Sequence, residues 1–232
     1  MKSDTRCLRG FTVLTVVLTC LAIQAVFTLP AYGDEIVGWG SNQFGQATPP
    51  GVNDFIAIAA GAEHSLALKN DGSIESWGRN DYGQADPPEE NHDFIAISAG
   101  VDHNLALKSN GSIVGWGNSH PNGKTTPPVL PEGDYFTAIA AGKNHSLALK
   151  SDGSIEGWGD NYYGQATPPV LPEGDYFTAI AAGYYHSLGL TFTGRIVGWG
   201  KNADDQATPP EDDYFTAIAA GALHNLALKN DG

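Results

Sequence analysis

Five histidines stand at nearly regular intervals along the chain: His64, His103, His145, His186 and His224. Imidazole is a common zinc ligand and the side chain best suited to acid–base chemistry near neutral pH, so five rings around one axis would invite a metal or catalytic role. The first four are each followed thirteen residues later by a tryptophan, Trp77, Trp116, Trp158 and Trp199, and Trp39 stands ahead of the set. Every histidine opens an apolar run after a glycine, with no carboxylate at constant spacing. A site that needs one reaction does not need five copies. The histidines are therefore expected to hold structure, each bonding backbone groups of its turn or of the next unit, and the tryptophans to pack between neighbouring sheets, where a large ring buries much apolar surface. No metal is expected.

The element that positions them is the block HSLALKNDGSIESWG from His64, repeated from His103, His145 and His186. An apolar run, a polar turn ending in glycine and a second run make a β-hairpin, because Asp-Gly and Asn-Gly suit turns with positive φ. The fourth copy has Thr193-Gly194 in the turn and keeps the glycine. Spacing from each tryptophan to the next histidine drifts (25, 26, 29, 28 and 25), so the block is rigid and the drift belongs to loops. Upstream of each block stands FIAIAAG (55–61), FIAISAG (94–100) or FTAIAAG (from 136, 177 and 215), where large or branched side chains alternate with alanine as in a closely packed strand. Each unit of about 40 residues thus carries three short strands and a connector of the form NxxGQATPP. Asn42, Asn80, Asn161 and Asn202, with Gln46, Gln84, Gln165 and Gln206, are expected to tie the connectors to backbone groups. The connector after Trp116 is one residue longer and loses the glutamine.

Such a hairpin cannot bury its faces alone and must stack on its neighbours. The expected fold is all-β: a β-propeller of five repeats with short, mostly three-stranded blades. The motif AAGxxHSLALKxDGSIxxWGxNxxGQ resembles the repeat of the regulator-of-chromosome-condensation (RCC1) family over residues 34–232. The short period and the three-strand unit are most similar to secreted bacterial members, the β-lactamase-inhibitory propellers among them. The resemblance implies a scaffold of seven blades whose face loops present aromatics to a partner protein. Five histidine strands and five tryptophan strands are present here. One expectation is a ring closed by pairing Ile36–Trp39 with Leu226–Leu228, leaving no open edge; the alternative is an open arc.

Residues 1–33 read as an export signal, with Lys2, Arg6 and Arg9 ahead of an uncharged run from Phe11 to Leu29 and small residues before a cut after Gly33. An uncleaved membrane anchor is the competing reading. Both cysteines, Cys7 and Cys20, fall in this leader, so the repeats hold no disulfide, thiolate site or cysteine nucleophile. The chain carries a formal charge of −14, and the part after Gly33 has 9 basic against 25 acidic residues. Such a surface disfavours nucleic acid and anionic lipid. Asp81, Asp160, Asp204 and Asp205 lie in no calcium-loop pattern, and no phosphate loop, HExxH or cofactor motif occurs.

Function is expected where the copies disagree. The pair before each histidine changes: Ala62-Glu63, Val101-Asp102, Lys143-Asn144, Tyr184-Tyr185, Ala222-Leu223. So does a pair in the connectors: Gln43-Phe44, Asp81-Tyr82, Tyr162-Tyr163, Ala203-Asp204. Phe44, Tyr82, Tyr162, Tyr163, Tyr184 and Tyr185 are the candidate partner-binding residues, since tyrosine is favoured at interaction hot spots. Ordinary half-buried loop aromatics are the plain alternative. The function expected is an exported, non-enzymatic, monomeric protein-interaction module that needs no cofactor. A structural segment of a larger cell-surface protein, or a glycan-binding or hydrolase/lyase propeller, are the other readings; the last requires non-repeating acids or bases, such as His92, His120, Lys124 or Arg195, to converge in one pocket.

Overall fold

The computed structural model describes residues 35–230 apart from 52, 53, 121 and 213. The expected leader over residues 1–33 lies outside the described residues. Within them the chain forms fourteen strands and no helix. The first sheet joins β1 (Phe55–Ala60), β2 (His64–Lys69) and β3 (Ile74–Gly78) in antiparallel order. The second joins β4 (Phe94–Ala99), β5 (His103–Lys108) and β6 (Ile113–Gly117); the third, β7 (Phe136–Ala141), β8 (His145–Lys150) and β9 (Ile155–Gly159). The fourth joins β10 (Phe177–Ala182), β11 (His186–Thr191) and β12 (Ile196–Gly200), and the fifth is the pair β13 (Phe215–Ala220) and β14 (Asn225–Lys229).

Each blade opens on a bulge. The register slips one residue after the leading phenylalanine in all five sheets, as between Phe55 and Ala57. The bulge turns the phenylalanine inward and leaves its neighbour, Ile56 or Ile95, in solvent. The apolar interior is not one central core. Four clusters lie between successive blades, such as Leu66, Leu68 and Ile74 against Phe94 and Ile97, and Leu147, Leu149 and Ile155 against Phe177, Ile180 and Trp199. Alanines of the first strand of each blade, Ala99, Ala141, Ala182 and Ala220, sit in these seams and let the sheets close up.

Hairpin glycines join the blades as well. Gly72 has φ of +79°, and its carbonyl accepts the amide of Phe94 in the next blade at 3.0 Å. The same bond runs from Phe136 to Gly111, Phe177 to Gly153 and Phe215 to Gly194. A Cβ on Gly194 would meet the backbone nitrogen of Tyr214 at 2.9 Å. That double demand, positive φ and close approach, accounts for a glycine that survives when the rest of the turn changes.

The expected ring closure is not formed. β14 pairs only with β13, Leu226 and Leu228 are exposed, and residues 36–39 adopt no strand. Trp39 is 80% exposed where its counterparts lie in or beside seams. The described residues take the open-arc alternative. The physical reason is the seam: near-identical packing at every step fixes the rotation between blades, and the steps among these five sheets do not bring the two ends into pairing.

Candidate interaction face

Antiparallel order divides the loops between two ends of the blades. Turns between first and second strands lie at one end, together with the connectors that follow third strands. Hairpin glycine turns and proline-rich linkers lie at the other. All six candidate aromatics belong to the connector end.

Beneath that end runs a hydrogen-bonded seam. His64 Nε2 lies 2.6 Å from Asn104 Oδ1, His103 Nε2 3.0 Å from Ser146 Oγ, His145 Nε2 2.9 Å from Ser187 Oγ, and His186 Nε2 2.7 Å from Asn225 Oδ1. Each histidine thus reaches the residue that follows the histidine of the next blade. That residue in turn donates to a connector carbonyl: Asn104 to Gln84, Ser146 to Lys124, Ser187 to Gln165, Asn225 to Gln206. Because the serine hydroxyl and the asparagine amide are already spent as donors, the remaining oxygen must accept, and each imidazole donates from Nε2 as a neutral ring. Burial then holds the rings below their ordinary value, His145 at about 3 and His103 well down, with Lys124 adding to the effect on His103. His224, which faces no following blade, is exposed.

The glycine ahead of each histidine belongs to the same joint. A Cβ on Gly142 would meet His145 Cε1 at 2.4 Å and the carbonyl of Gly183, one blade on, at 2.7 Å. Three tryptophans share the connector carbonyl: Trp77 Nε1 donates to Gln46, Trp158 to Lys124 and Trp199 to Gln165, at 2.8 or 2.9 Å. Connector side chains close their own loops. Gln165 Oε1 accepts the amide of Tyr163, Asn161 Oδ1 that of Ala166, and the other connectors with the glutamine repeat the pattern.

Above the seam, four of the six aromatics meet. Tyr162 and Tyr163 pack edge to face at 4.8 Å, Tyr163 and Tyr185 at 5.7 Å, and Tyr184 and Tyr185 at 6.3 Å. Lys143 Nζ donates to the Tyr185 hydroxyl at 2.5 Å and lies 4.7 Å from that ring's centre; Lys201 lies 5.7 Å from it and 5.9 Å from Tyr163. Tyr162 is 83% exposed and Tyr163 44%. Phe44 and Tyr82 are not part of this group. Phe44 lies under Arg79 at 5.2 Å, and Tyr82, half-exposed, sits in the connector of another blade.

The residues offered as examples for a catalytic reading do not all meet in one place. His92, bonded to Asp93, and Arg195, against Asp175, lie at the hairpin end, whereas His120 and Lys124 lie at the connector end. A shallow depression at the hairpin end, lined by Thr137, Lys150, Asp152 and Tyr176, touches none of the aromatic cluster. Among the described residues no group of three or more His, Cys, Asp or Glu side chains is placed to hold a metal ion. Asp81 is taken up by Arg79, and Asp160 by Gln165.

The regulator of chromosome condensation (RCC1) repeat pattern matches residues 55–84, 94–123, 136–165 and 177–206, more than half of the chain. The chain belongs to the RCC1 repeat family. No curated protein matches it at a significant level. Among solved structures it is similar to the ectodomain of the Physcomitrella patens receptor kinase CR4, at 26% identity and a TM-score of 0.65 over 83% of this chain and 53% of that one. It is also similar in fold to Prp20p from Saccharomyces cerevisiae, a protein with binding properties toward Gsp1p and histones, at 21% identity and a TM-score of 0.66 over 79% and 58% of the two chains. Human WBSCR16 gives 21% identity and a TM-score of 0.63 over 83% and 66%. The chain spans a little over half the length of the first two.

One RCC1 repeat departs from the rest inside the seam. Lys124 replaces the connector glutamine: its carbonyl serves Ser146 and Trp158 as Gln165 serves Ser187 and Trp199. The residue is 1% exposed, and its ammonium meets Asp102 at 2.7 Å and Asn144 Oδ1 at 3.0 Å. A buried ammonium needs such partners. In the sequence, the loss of the glutamine marks the position, and Asp102 in the variable pair names the counter-charge. Lys143 and Lys201 are the other residues that reading the sequence left out of the site. Aligning the copies exposes them, since Lys201 stands where the first complete repeat has Arg79.

Proposed function

We propose that this RCC1-repeat protein is an exported, non-enzymatic scaffold that binds another protein through the connector end of its blades, with Tyr162, Tyr163, Tyr184 and Tyr185 as the contact centre. The observation that carries this reading is the convergence of those four rings from two loops of successive repeats, at positions where the copies differ and above a seam where they agree. Tyrosine offers wide, amphipathic contact area at low entropic cost. Binding of protein partners is already a property of one relative in fold, Prp20p, and the export signal read over residues 1–33 accords with the receptor ectodomain among the similar structures.

The test is affinity capture from culture supernatant on the immobilised protein, with Tyr184→Ala/Tyr185→Ala as the comparison. Capture of a defined partner is expected to be lost in the double variant without unfolding it, because both rings are half-buried and lie outside the apolar seams, so thermal unfolding stays cooperative. Equal capture by both proteins rejects this face. Sequencing the N-terminus of the protein recovered from the medium tests export, with Asp34 expected first.

A further inference from the structure

Nine basic side chains follow Gly33, and seven of them are ion-paired. Lys69 meets Glu75, Arg79 meets Glu63 and Asp81, Lys108 meets Glu90, Lys124 meets Asp102, Lys150 meets Asp152 and Glu156, Arg195 meets Asp175, and Lys229 meets Asp212. Among the described residues the two without a carboxylate are Lys143 and Lys201. Both lie on the tyrosine cluster, each within 6 Å of the Tyr185 ring centre. In a chain with so large an acidic excess, two unneutralised ammonium groups on one aromatic platform are not what a random surface provides.

The reason is local and legible in the repeat. At the first complete blade the corresponding corner holds Phe44, Arg79, Glu63 and Asp81, and the two carboxylates neutralise the guanidinium at 2.5 Å each. At the fourth blade the same positions hold Tyr163, Lys201, Tyr185 and Ala203. Both internal counter-ions have been exchanged, one for an aromatic ring and one for a methyl group. Ring faces attract an ammonium without cancelling its charge, and the Tyr185 hydroxyl holds Lys143 in place while doing the same.

We propose that this corner docks an acidic segment of a partner protein, an extended stretch with carboxylates on alternate residues, whose side chains supply the counter-ions the corner lacks. The proposal rests on the protein-binding reading above and names the chemistry of its partner. The distances to Tyr185 place the two ammonium groups within about 10 Å of one another, a span that carboxylates two residues apart on an extended chain, at about 3.3 Å per residue, can bridge. The tyrosines take up the backbone and the intervening side chains. A long polyanion such as nucleic acid is disfavoured, since the chain after Gly33 carries 25 acidic against 9 basic residues and offers no extended basic surface.

The probe is a short fluorescent peptide alternating Glu and Gly, titrated into the whole protein beside its Gln–Gly counterpart. Binding of the Glu peptide is expected to weaken progressively as salt rises through about 0.3 M, where screening shortens the reach of exposed charges, and the Gln peptide is expected to bind at least about tenfold more weakly. Lys143→Gln/Lys201→Gln is expected to bring the Glu peptide down to the Gln level with an unchanged melting temperature. Equal binding of the two peptides, undiminished binding by the double variant, or tighter binding of a phosphate polymer than of the peptide would each overturn the proposal. Self-association that the same double variant abolishes would also overturn it, by assigning the corner to a second copy of this chain. The two readings fail separately: if Tyr184→Ala/Tyr185→Ala abolishes partner capture and Lys143→Gln/Lys201→Gln leaves it intact, the face stands and its acidic specificity falls.

Discussion

Beneath the corners of the first and fourth blades the chain makes the same joint: His64 Nε2 to Asn104 Oδ1 at 2.6 Å, His186 Nε2 to Asn225 Oδ1 at 2.7 Å. Above those joints the corners are chemically opposed. One is Arg79 held between Glu63 and Asp81 over Phe44, net negative; the other is Lys201 against Tyr163 and Tyr185, with no carboxylate partner among the described residues. Glu63 and Tyr185 each sit one residue ahead of a seam histidine, so an exchange of charge for aromatic surface occurs beside the joint without altering it. The backbone explains how. Side chains alternate along the strand entry, so the histidine points between blades and its predecessor points out. Cohesion and the selection of a partner proposed for this face are thereby separated by one residue.

That separation can be attacked most forcefully at the seam. Gly142→Ala would press a methyl group against the His145 ring and the Gly183 carbonyl at once, and the carbonyl is backbone that can yield only by moving a blade. A loss of about 3 kcal/mol or more is expected by denaturant titration, the range of overpacking combined with a broken buried hydrogen bond. A variant as stable as the parent would mean that the blades are not close-packed here, and cohesion would have to come from elsewhere.

Acid should weaken the seams next. An unfolded histidine takes up a proton near pH 6.5, whereas the buried His145 ring does so only at about 3. Between those values the unfolded chain binds more protons than the folded one, so stability falls as pH is lowered through the window. At pH 5 a ring of this kind has given up about 2 kcal/mol, and His103, His64 and His186, all lowered chiefly by burial, add in the same direction. His145→Gln, which can still donate to Ser187, should flatten the pH dependence while costing stability at pH 7. A melting temperature level from pH 7 to 5 would show that the rings are not held neutral by the seam.

The scaffold was readable because each of its contacts is written once per repeat. Constant His-to-Trp spacing, the alanine-rich first strand and the invariant turn glycine all announce strands and seams in the residue order alone. The face was only half readable. Divergent pairs pointed to the loops of the connector end, yet which loops touch depends on the lateral packing of blades, and this separates Phe44 and Tyr82 from the four tyrosines that meet. Lys124 escaped for another reason. A lysine in a polar connector reads as solvated, and its burial makes sense only once Asp102, at the strand entry of its own blade, and Asn144, at that of the next, close over it. Closure through Ile36–Trp39 failed because matching sequence supplies a strand's preference for a partner and not the angle that would bring the two together.

The subtlest difference between seams gives the last prediction. Where serine follows the histidine, the connector carbonyl accepts two bonds, one from the hydroxyl and one from a tryptophan, as at Lys124 with Ser146 and Trp158. Where asparagine follows, its amide takes the Gln84 carbonyl, and the buried Trp116 Nε1 is left without a hydrogen-bond partner. Asn104→Ser should therefore rebuild the serine pattern in that seam. His64 would donate to the new hydroxyl as His103 does to Ser146, and Trp116 would gain the carbonyl. The expected net effect is a stabilisation of about 0.5–1 kcal/mol, the value of one recovered hydrogen bond less the smaller side chain's lost packing. A slower-exchanging Trp116 indole proton should accompany it, and the corners above should bind as before. Destabilisation with a freely exchanging indole would show that shape, not bond count, decides which residue this seam accepts.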